Sequence, residues 1–349
     1  MSAIGEIQFK KAINEKNYKN VYLIYGEENY LKQQYVNILK NKIVDKSFSD
    51  FNLHLLEGKN TNISEIIQCA ETLPIMSEMS CTVVHDYPLD LLTKSETVTL
   101  KEFLKDVPDT GILVFWMDSI EVNIKKNAKW RTVIKWFTDA GDSVNLEKRD
   151  NRTLCKMIVD GGKKRKCDIP VNVADYLITQ VGNDLQTLLN ELDKLVNYCN
   201  DRTVTKEDVD KIAVKSTEAK TFDLAKSIIK KDYDKAYSIL NNLLALKEEP
   251  IVILSAISSS YVDMYRAKCA KISGCQATDA SKYFNYKGKE FRLTNASRDC
   301  DRISIEQLRR SINCLSDADI ALKTTSIDKK LVLEETMVKL LVISRGDKI

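Results

Sequence analysis

The chain has 349 residues, of which 44% are hydrophobic and 30% charged, with a formal net charge of +3; this excludes a disordered chain and leaves room for two or three domains, each with its own core. Only 11 glycines and 5 prolines occur, against about 7% and 5% in proteins at large, which argues against a turn-rich all-β fold and for long helices. A net charge this small does not by itself announce nucleic acid. Apolar runs such as Ile112–Met117 are far short of the roughly 18–20 residues that cross a bilayer.

The first stretch, Met1–Asn20, is polar and carries Lys10, Lys11, Lys16 and Lys19, so no secretory core opens the chain and a cytoplasmic protein is expected. Short apolar runs that read as strands follow at Val21–Tyr25, Phe51–Leu56, Ser80–His85, Ile112–Met117 and Ser143–Leu146. Between them lie helical spacings: Leu31, Tyr35, Ile38 and Leu39, then Ile63, Ile66, Ile67, Ala70 and Leu73, then Trp130, Ile134 and Phe137. Alternation of this kind predicts an α/β domain with a mostly parallel sheet over residues 1–147. From about Arg149 the strands stop. Thr153–Asp160, Asn172–Val181, Asp184–Tyr198 and Thr205–Ala213 read as a small helical domain over 148–215, with Thr205 and Asp208 spaced as a capping box. Beyond Ser216, helices at Thr221–Lys230, Tyr233–Leu246, Pro250–Lys271, Ser304–Lys323 and Lys329–Ser344 predict a helical bundle over 216–349, and Pro250 suits a first helical turn.

Charge is unevenly spread. Residues 1–145 hold 17 Lys and Arg against 20 Asp and Glu, residues 146–215 hold 13 against 12, and residues 216–349 hold 23 against 18. The basic surplus therefore lies in the last part. Lys163–Lys164–Arg165–Lys166, after Gly161–Gly162, reads as a solvated turn between helices rather than a phosphate contact.

Catalytic chemistry is mostly absent from the motifs. The turn after the first strand, Gly26-Glu27-Glu28-Asn29-Tyr30-Leu31-Lys32, has one glycine and two carboxylates where a phosphate-binding loop needs several glycines, a lysine and a Ser or Thr. Asp86 and Asp118 end two predicted strands, and without that loop they read as ordinary strand-end acids. The nine cysteines include no C-x-x-C, and the two histidines, His54 and His85, lie in predicted strands. That spacing offers no zinc module and no disulfide framework. No metal, cofactor or catalytic residue is expected of this chain.

One local feature points outward. Pro74 tends to end the helix that precedes it, which leaves Ile75 and Met76 on a turn before the next strand. Apolar side chains there either fold back onto the sheet or enter a partner's pocket.

Five segments, VYLIYGEENYLKQQ at 21–34, ETLPIMSEMSCTVV at 71–84, VGNDLQTLLNELDKLVNY at 181–198, STEAKTFDLAKSI at 216–228 and DADIALKTTSID at 317–328, together resemble the delta subunit of the bacterial DNA polymerase III clamp loader. The resemblance covers essentially the whole chain. It implies an AAA+-like α/β domain that lacks a P-loop, a small helical lid and a C-terminal helical collar. It also implies an accessory subunit of the DNA polymerase holoenzyme that neither binds nor hydrolyses ATP; nucleotidyl transfer would belong to the assembly. The expected partners are the sliding clamp, the clamp-loader ATPase subunits and delta-prime, joined through the collar, and primed DNA within the complex. A membrane is not among them. The family's clamp-contacting tip falls on Leu73, Pro74, Ile75 and Met76, with Ile or Met where an aromatic residue is usual. Lys323, Lys329 and Lys330 flank a predicted interhelix turn, for which a solvated turn is the preferred reading and approach to primer-template phosphate the other. The rival expectation is an active AAA+ ATPase that remodels another partner. Gly182–Asn183–Asp184 lies where ATPase relatives keep a nucleotide-sensing arginine; here a helix N-cap accounts for it. Tyr283, Phe284, Tyr286, Lys287, Lys289, Phe291 and Arg292 mix rings with charge as a single-strand binder would, although packing within the collar is the preferred reading.

Overall fold

A computed structural model describes residues 3–286 and 291–346, in two units, Met1–Arg149 and Asp150–Ile349. In the first unit, five runs form one parallel sheet in the order β2-β3-β4-β1-β5: β1 (Val21–Tyr25), β2 (Leu53–Glu57), β3 (Ser80–His85), β4 (Gly111–Trp116) and β5 (Asp142–Asn145). β1 is buried along its whole length, and β3 and β4 along all but their last residue, as parallel strands covered on both faces must be. The cover comes from α1 (Glu6–Asn14), α2 (Asn29–Ile43), the short α3 (Ser49–Asn52), α4 (Ile63–Ala70), α5 (Lys94–Phe103) and α6 (Ala128–Ala140). In α6, Trp130, Val133, Ile134 and Phe137 recur at helical spacing and are buried in one core with Leu23, Phe115 and Ile66.

One departure from the sequence reading and one close backbone contact bear on function. The second strand begins at Leu53, because Phe51 and Asn52 close α3 instead; the Asn52 side chain is turned to another segment. Gly26 leaves β1 at φ +126°, and a Cβ there would lie 2.2 Å from the Leu146 carbonyl oxygen. The turn after β1 is thus packed main chain to main chain against the end of β5, a closeness only glycine permits.

Asn62 starts α4 with a complete capping box: its side chain accepts from the Glu65 N–H at 3.0 Å, and Glu65 accepts from the Asn62 N–H at 3.1 Å. Asn62→Ala is expected to cost about 1 kcal/mol, read as a lowered denaturant midpoint at unchanged slope. A loss under 0.3 kcal/mol would mean that packing of Ile63 and Ile66 alone holds this helix end.

The second unit is helical throughout the described residues. Its first part is α7 (Asn151–Lys164), α8 (Val171–Val181), α9 (Leu185–Cys199) and α10 (Lys206–Ile212); its second is α11 (Thr217–Ile229), α12 (Tyr233–Ala245), α13 (Pro250–Ile272), α14 (Phe291–Asp299), α15 (Ile305–Thr324) and α16 (Lys329–Arg345). α7 continues past its expected end through Gly161 and Gly162. Glycine weakens a helix, but here a Cβ at Gly162 would meet the Cys167 carbonyl oxygen at 2.7 Å, and one at Gly161 would meet Leu192 at 2.8 Å. The expected capping box at Thr205 forms, Pro250 is the first residue of α13, and Asp184 caps α9 through the Thr187 N–H at 2.8 Å. Leu224, Ile228, Leu240, Tyr261, Leu315 and Met337 lie in one core that spans the last six helices. All nine cysteines are free, with burial pushing the Cys81 thiol up to about 12. No helix of the described residues is long and apolar enough to cross a membrane.

Candidate protein-interaction site

α4 ends at Ala70, and the chain reaches β3 at Ser80 through a nine-residue turn. Leu73 is 72% exposed, Ile75 48% and Met76 80%, with Pro74 half-buried between them. Isolated exposed leucines are ordinary on any surface. Three large apolar side chains within four residues, rimmed by exposed Glu71 and Glu78, make a local apolar cluster with a charged rim, the pattern of a candidate contact surface.

The main chain of this turn is held at its start and at its tip. Near α4, the Ser80 hydroxyl donates to the Thr72 carbonyl at 3.2 Å. At the tip, the fully buried Asn52 accepts from the Ile75 N–H at 2.7 Å and donates to the Ile75 carbonyl at 2.9 Å. Met76 follows at φ +52°, the left-handed region that non-glycine residues seldom occupy. Leu73, Pro74, Ile75 and Met76 therefore share one ordered turn. Asn52 was not legible as part of it, because its partner lies 23 residues away.

The turn after β1 is built around a buried lysine. Lys32, 2% exposed, donates to the Met117 carbonyl at 2.5 Å, while the Glu28 N–H donates to the Leu146 carbonyl at 3.0 Å. Burial pulls the Lys32 amine below its ordinary pKa, and Asp118, Asp86 and Glu28 pull it partly back. Asp86, 5% exposed, is more than a strand-end acid: its carboxylate accepts from the N–H groups of Asp118 at 2.7 Å and Ser119 at 2.9 Å, and from the Ser119 hydroxyl at 2.5 Å. His85 stacks on Trp116 with ring centroids 4.3 Å apart and bonds Glu57 at 2.9 Å. Among the described residues, no group of three or more His, Cys, Asp or Glu side chains is arranged to hold a metal ion.

In the second unit, Lys323, Lys329 and Lys330 are all exposed around the turn between α15 and α16. Lys323 pairs with Asp319 at 2.7 Å and Lys330 with Glu334 at 3.7 Å, so part of their field is already answered. A cleft of about 510 Å³ is lined by Lys206, Lys226 and Arg298 against Asp175, Asp223 and Asp299, a balance that gives phosphate no preference. Of the mixed aromatic and basic stretch, Tyr286 is buried and donates to Asp263 at 2.5 Å, and Arg292 bonds the same carboxylate at 2.7 Å. Tyr283 is 82% exposed, and the Arg266 guanidinium lies 3.7 Å from the Phe284 ring centroid. Lys287 and Lys289, and the side chain of Phe291, lie outside the described residues.

Comparison with known proteins places these features in a family. The family model described as DNA polymerase III, delta subunit, matches residues 22–138, and that of the DNA polymerase III delta subunit, C-terminal domain, matches residues 218–340. The DNA polymerase III subunit delta of Bacillus subtilis (strain 168) is 26% identical over 338 residues, 95% of each chain. The probable DNA polymerase III subunit delta of Aquifex aeolicus (strain VF5) is 21% identical over 319 residues, 86% of this chain and 88% of the relative. Among solved structures, the Bacillus subtilis DNA clamp loader delta protein shares the fold at 24% identity with a TM-score of 0.58, over 96% of this chain and 99% of that one. The sheet order and helical second unit agree with the AAA+-like fold expected from the sequence. With matches to both its α/β part and its C-terminal helices, this chain belongs to the DNA polymerase III delta subunit family.

Proposed function

We propose that this protein is the clamp-opening subunit of a bacterial clamp loader, one that grips the sliding clamp through the turn at Leu73, Pro74, Ile75 and Met76. The observation that carries this reading is the exposure of Leu73, Ile75 and Met76 on a turn whose main chain is hydrogen-bonded in place. Burying side chains of this size contributes about 1.5–3 kcal/mol each before the costs of association, enough for a binding hot spot. Opening follows from differential affinity: the subunit holds a distorted clamp interface better than a closed one, and shifts the clamp toward the open form by that difference.

In this reading the residues divide as an AAA+-like domain over 1–147, a lid over 148–215 and a collar over 216–349. The collar joins the ATPase subunits and delta-prime, primed DNA is met within the assembled complex, and the protein works in the cytoplasm. Lys323, Lys329 and Lys330 are the collar residues nearest in character to a phosphate contact. ATP hydrolysis by this chain is disfavoured by two features: Lys32 is directed to the Met117 carbonyl, and Glu27 and Glu28 stand in the turn that would have to cradle phosphate.

The test is titration of the purified chain with the sliding clamp of its own organism, alongside an ATP hydrolysis assay with and without primed DNA. The expected result is saturable clamp binding that needs no nucleotide, with turnover at background. Absence of clamp binding, or robust hydrolysis by the isolated chain, would overturn the reading.

A further inference from the structure

We infer that Asn52 is the positioning residue of the clamp-binding tip: its side-chain amide fixes the Ile75 peptide groups so that the apolar side chains are presented before the partner arrives. The inference rests on the reading that this turn meets the clamp, and goes beyond it by assigning what orders the turn.

An asparagine side chain is costly to bury unless its polar atoms are satisfied. Asn52 is 0% exposed, at the last position of α3 and immediately before β2. Its Oδ1 takes the Ile75 N–H at 2.7 Å and its Nδ2 meets the Ile75 carbonyl at 2.9 Å. Acceptor and donor thus engage the two backbone groups of a single residue, the pairing a neighbouring strand would otherwise supply. Two bonds from one planar amide fix the peptide groups on both sides of Ile75 in orientation as well as in place.

The consequence reaches the next residue. Met76 stands at φ +52°, a conformation a free turn would seldom keep for a side chain with a Cβ. Its carbonyl-side neighbours carry only a short-range bond, from the Ser77 hydroxyl to the Met79 carbonyl at 3.2 Å. The fixed point beside Met76 is therefore the clasp on Ile75. With the main chain pinned inward, the Ile75 and Met76 side chains remain 48% and 80% exposed. A tip ordered in the free protein loses less conformational freedom on binding, which raises affinity without any new contact.

The experiment compares the full chain with Asn52→Ala and with the near-isosteric Asn52→Asp, which keeps an acceptor for the Ile75 N–H but sets an oxygen against the Ile75 carbonyl. Hydrogen–deuterium exchange is followed in peptides covering residues 71–79, with peptides covering 81–85 of β3 as the internal reference. Clamp affinity is measured for each variant in the native background and in an Ile75→Ala, Met76→Ala background. Asn52→Ala is expected to speed exchange of the Ile75 amide, read in peptides covering 71–79, at least tenfold with β3 unchanged, and to weaken clamp binding five- to twentyfold. Asn52→Asp, which buries a carboxylate oxygen against the Ile75 carbonyl, should loosen the turn at least as much as Asn52→Ala. In the background lacking both tip side chains, Asn52→Ala should cost less than threefold, because the residue acts through what it presents.

Unchanged exchange at 71–79, faster exchange with unaltered affinity, or the same loss in both backgrounds would each overturn the inference. Failure of the underlying reading looks different: native binding that Ile75→Ala, Met76→Ala leaves intact, or no clamp binding at all. Either of those removes the tip as the contact and overturns the role of Asn52 with it, whatever the exchange data show.

Discussion

Replacing Leu73, Ile75 and Met76 together by alanine is expected to weaken clamp binding by about a hundredfold or more, about 2.7 kcal/mol, and to leave the thermal midpoint within about 2 °C of the native value. The separation of the two effects is the point of the experiment. In the free protein, these side chains are 72%, 48% and 80% exposed, so their removal takes little from the folded state. In the complex, each would leave water almost completely, at about 25 cal/mol per Å² of apolar surface. The sum of three such terms exceeds the predicted loss, as it should, since truncations within one hot spot are not additive and binding has its own entropic cost. Pro74 is left in place because it is half-buried and shapes the turn. Titration calorimetry of the variant against the clamp, with circular dichroism of the free chain, reads both quantities. An affinity within threefold of native would remove this turn from the interface, and a midpoint lowered by 5 °C or more would show that the side chains pack within the protein.

What the sequence disclosed, and what it hid, divides along the range of the interactions. β1 and β3 were legible to the residue, because a run such as Val21–Tyr25 is apolar throughout and a central parallel strand is buried on both faces. The exposed turn was legible as a location, since Pro74 cannot continue a helix and the next strand is close, although α4 already ends at Ala70, short of the Leu73 that its spacing includes. The preferred packing of the 283–292 stretch is met at Tyr286 and Arg292, which share Asp263, and departed from at Tyr283. Asn52, Lys32 and Asp86 were not legible. Each is a polar residue whose burial is explained only by partners 23, 85 and 32–33 positions away, and no local period or propensity encodes such a pairing. Gly161 and Gly162 misled for a related reason. Glycine signals a helix end by local preference, but their role is the close approach of Cys167 and Leu192.

Asp86 carries the largest stability prediction. It sits just past β3 at φ +50°, a left-handed conformation that Asp and Asn tolerate and Ala resists by about 1–2 kcal/mol. Its carboxylate gathers the Asp118 N–H, the Ser119 N–H and the Ser119 hydroxyl, tying the loop after β4 to the end of β3. Asp86→Asn keeps the backbone conformation and one acceptor, and should cost about 2 kcal/mol through the orphaned donors. Asp86→Ala adds the backbone term and should cost about 4 kcal/mol, or roughly 8–15 °C in the midpoint of the first unit. The pH dependence separates charge from shape. Burial pushes the Asp86 carboxyl up, but the bonds from Ser119, Asp118 and Ile120 outweigh it and hold it below the ordinary value. Between the folded pKa and the unfolded value of about 3.9, the unfolded chain binds more protons, so this contribution is complete above that interval and disappears as pH falls through it. The gap between native and Asp86→Asn should therefore stay constant from about pH 8 to 5 and narrow below about pH 4. Urea titrations of both proteins across this pH range measure the gap directly. A gap that is the same at pH 6 and pH 3 would mean that the asparagine fails through its shape, and that the charge of Asp86 contributes nothing.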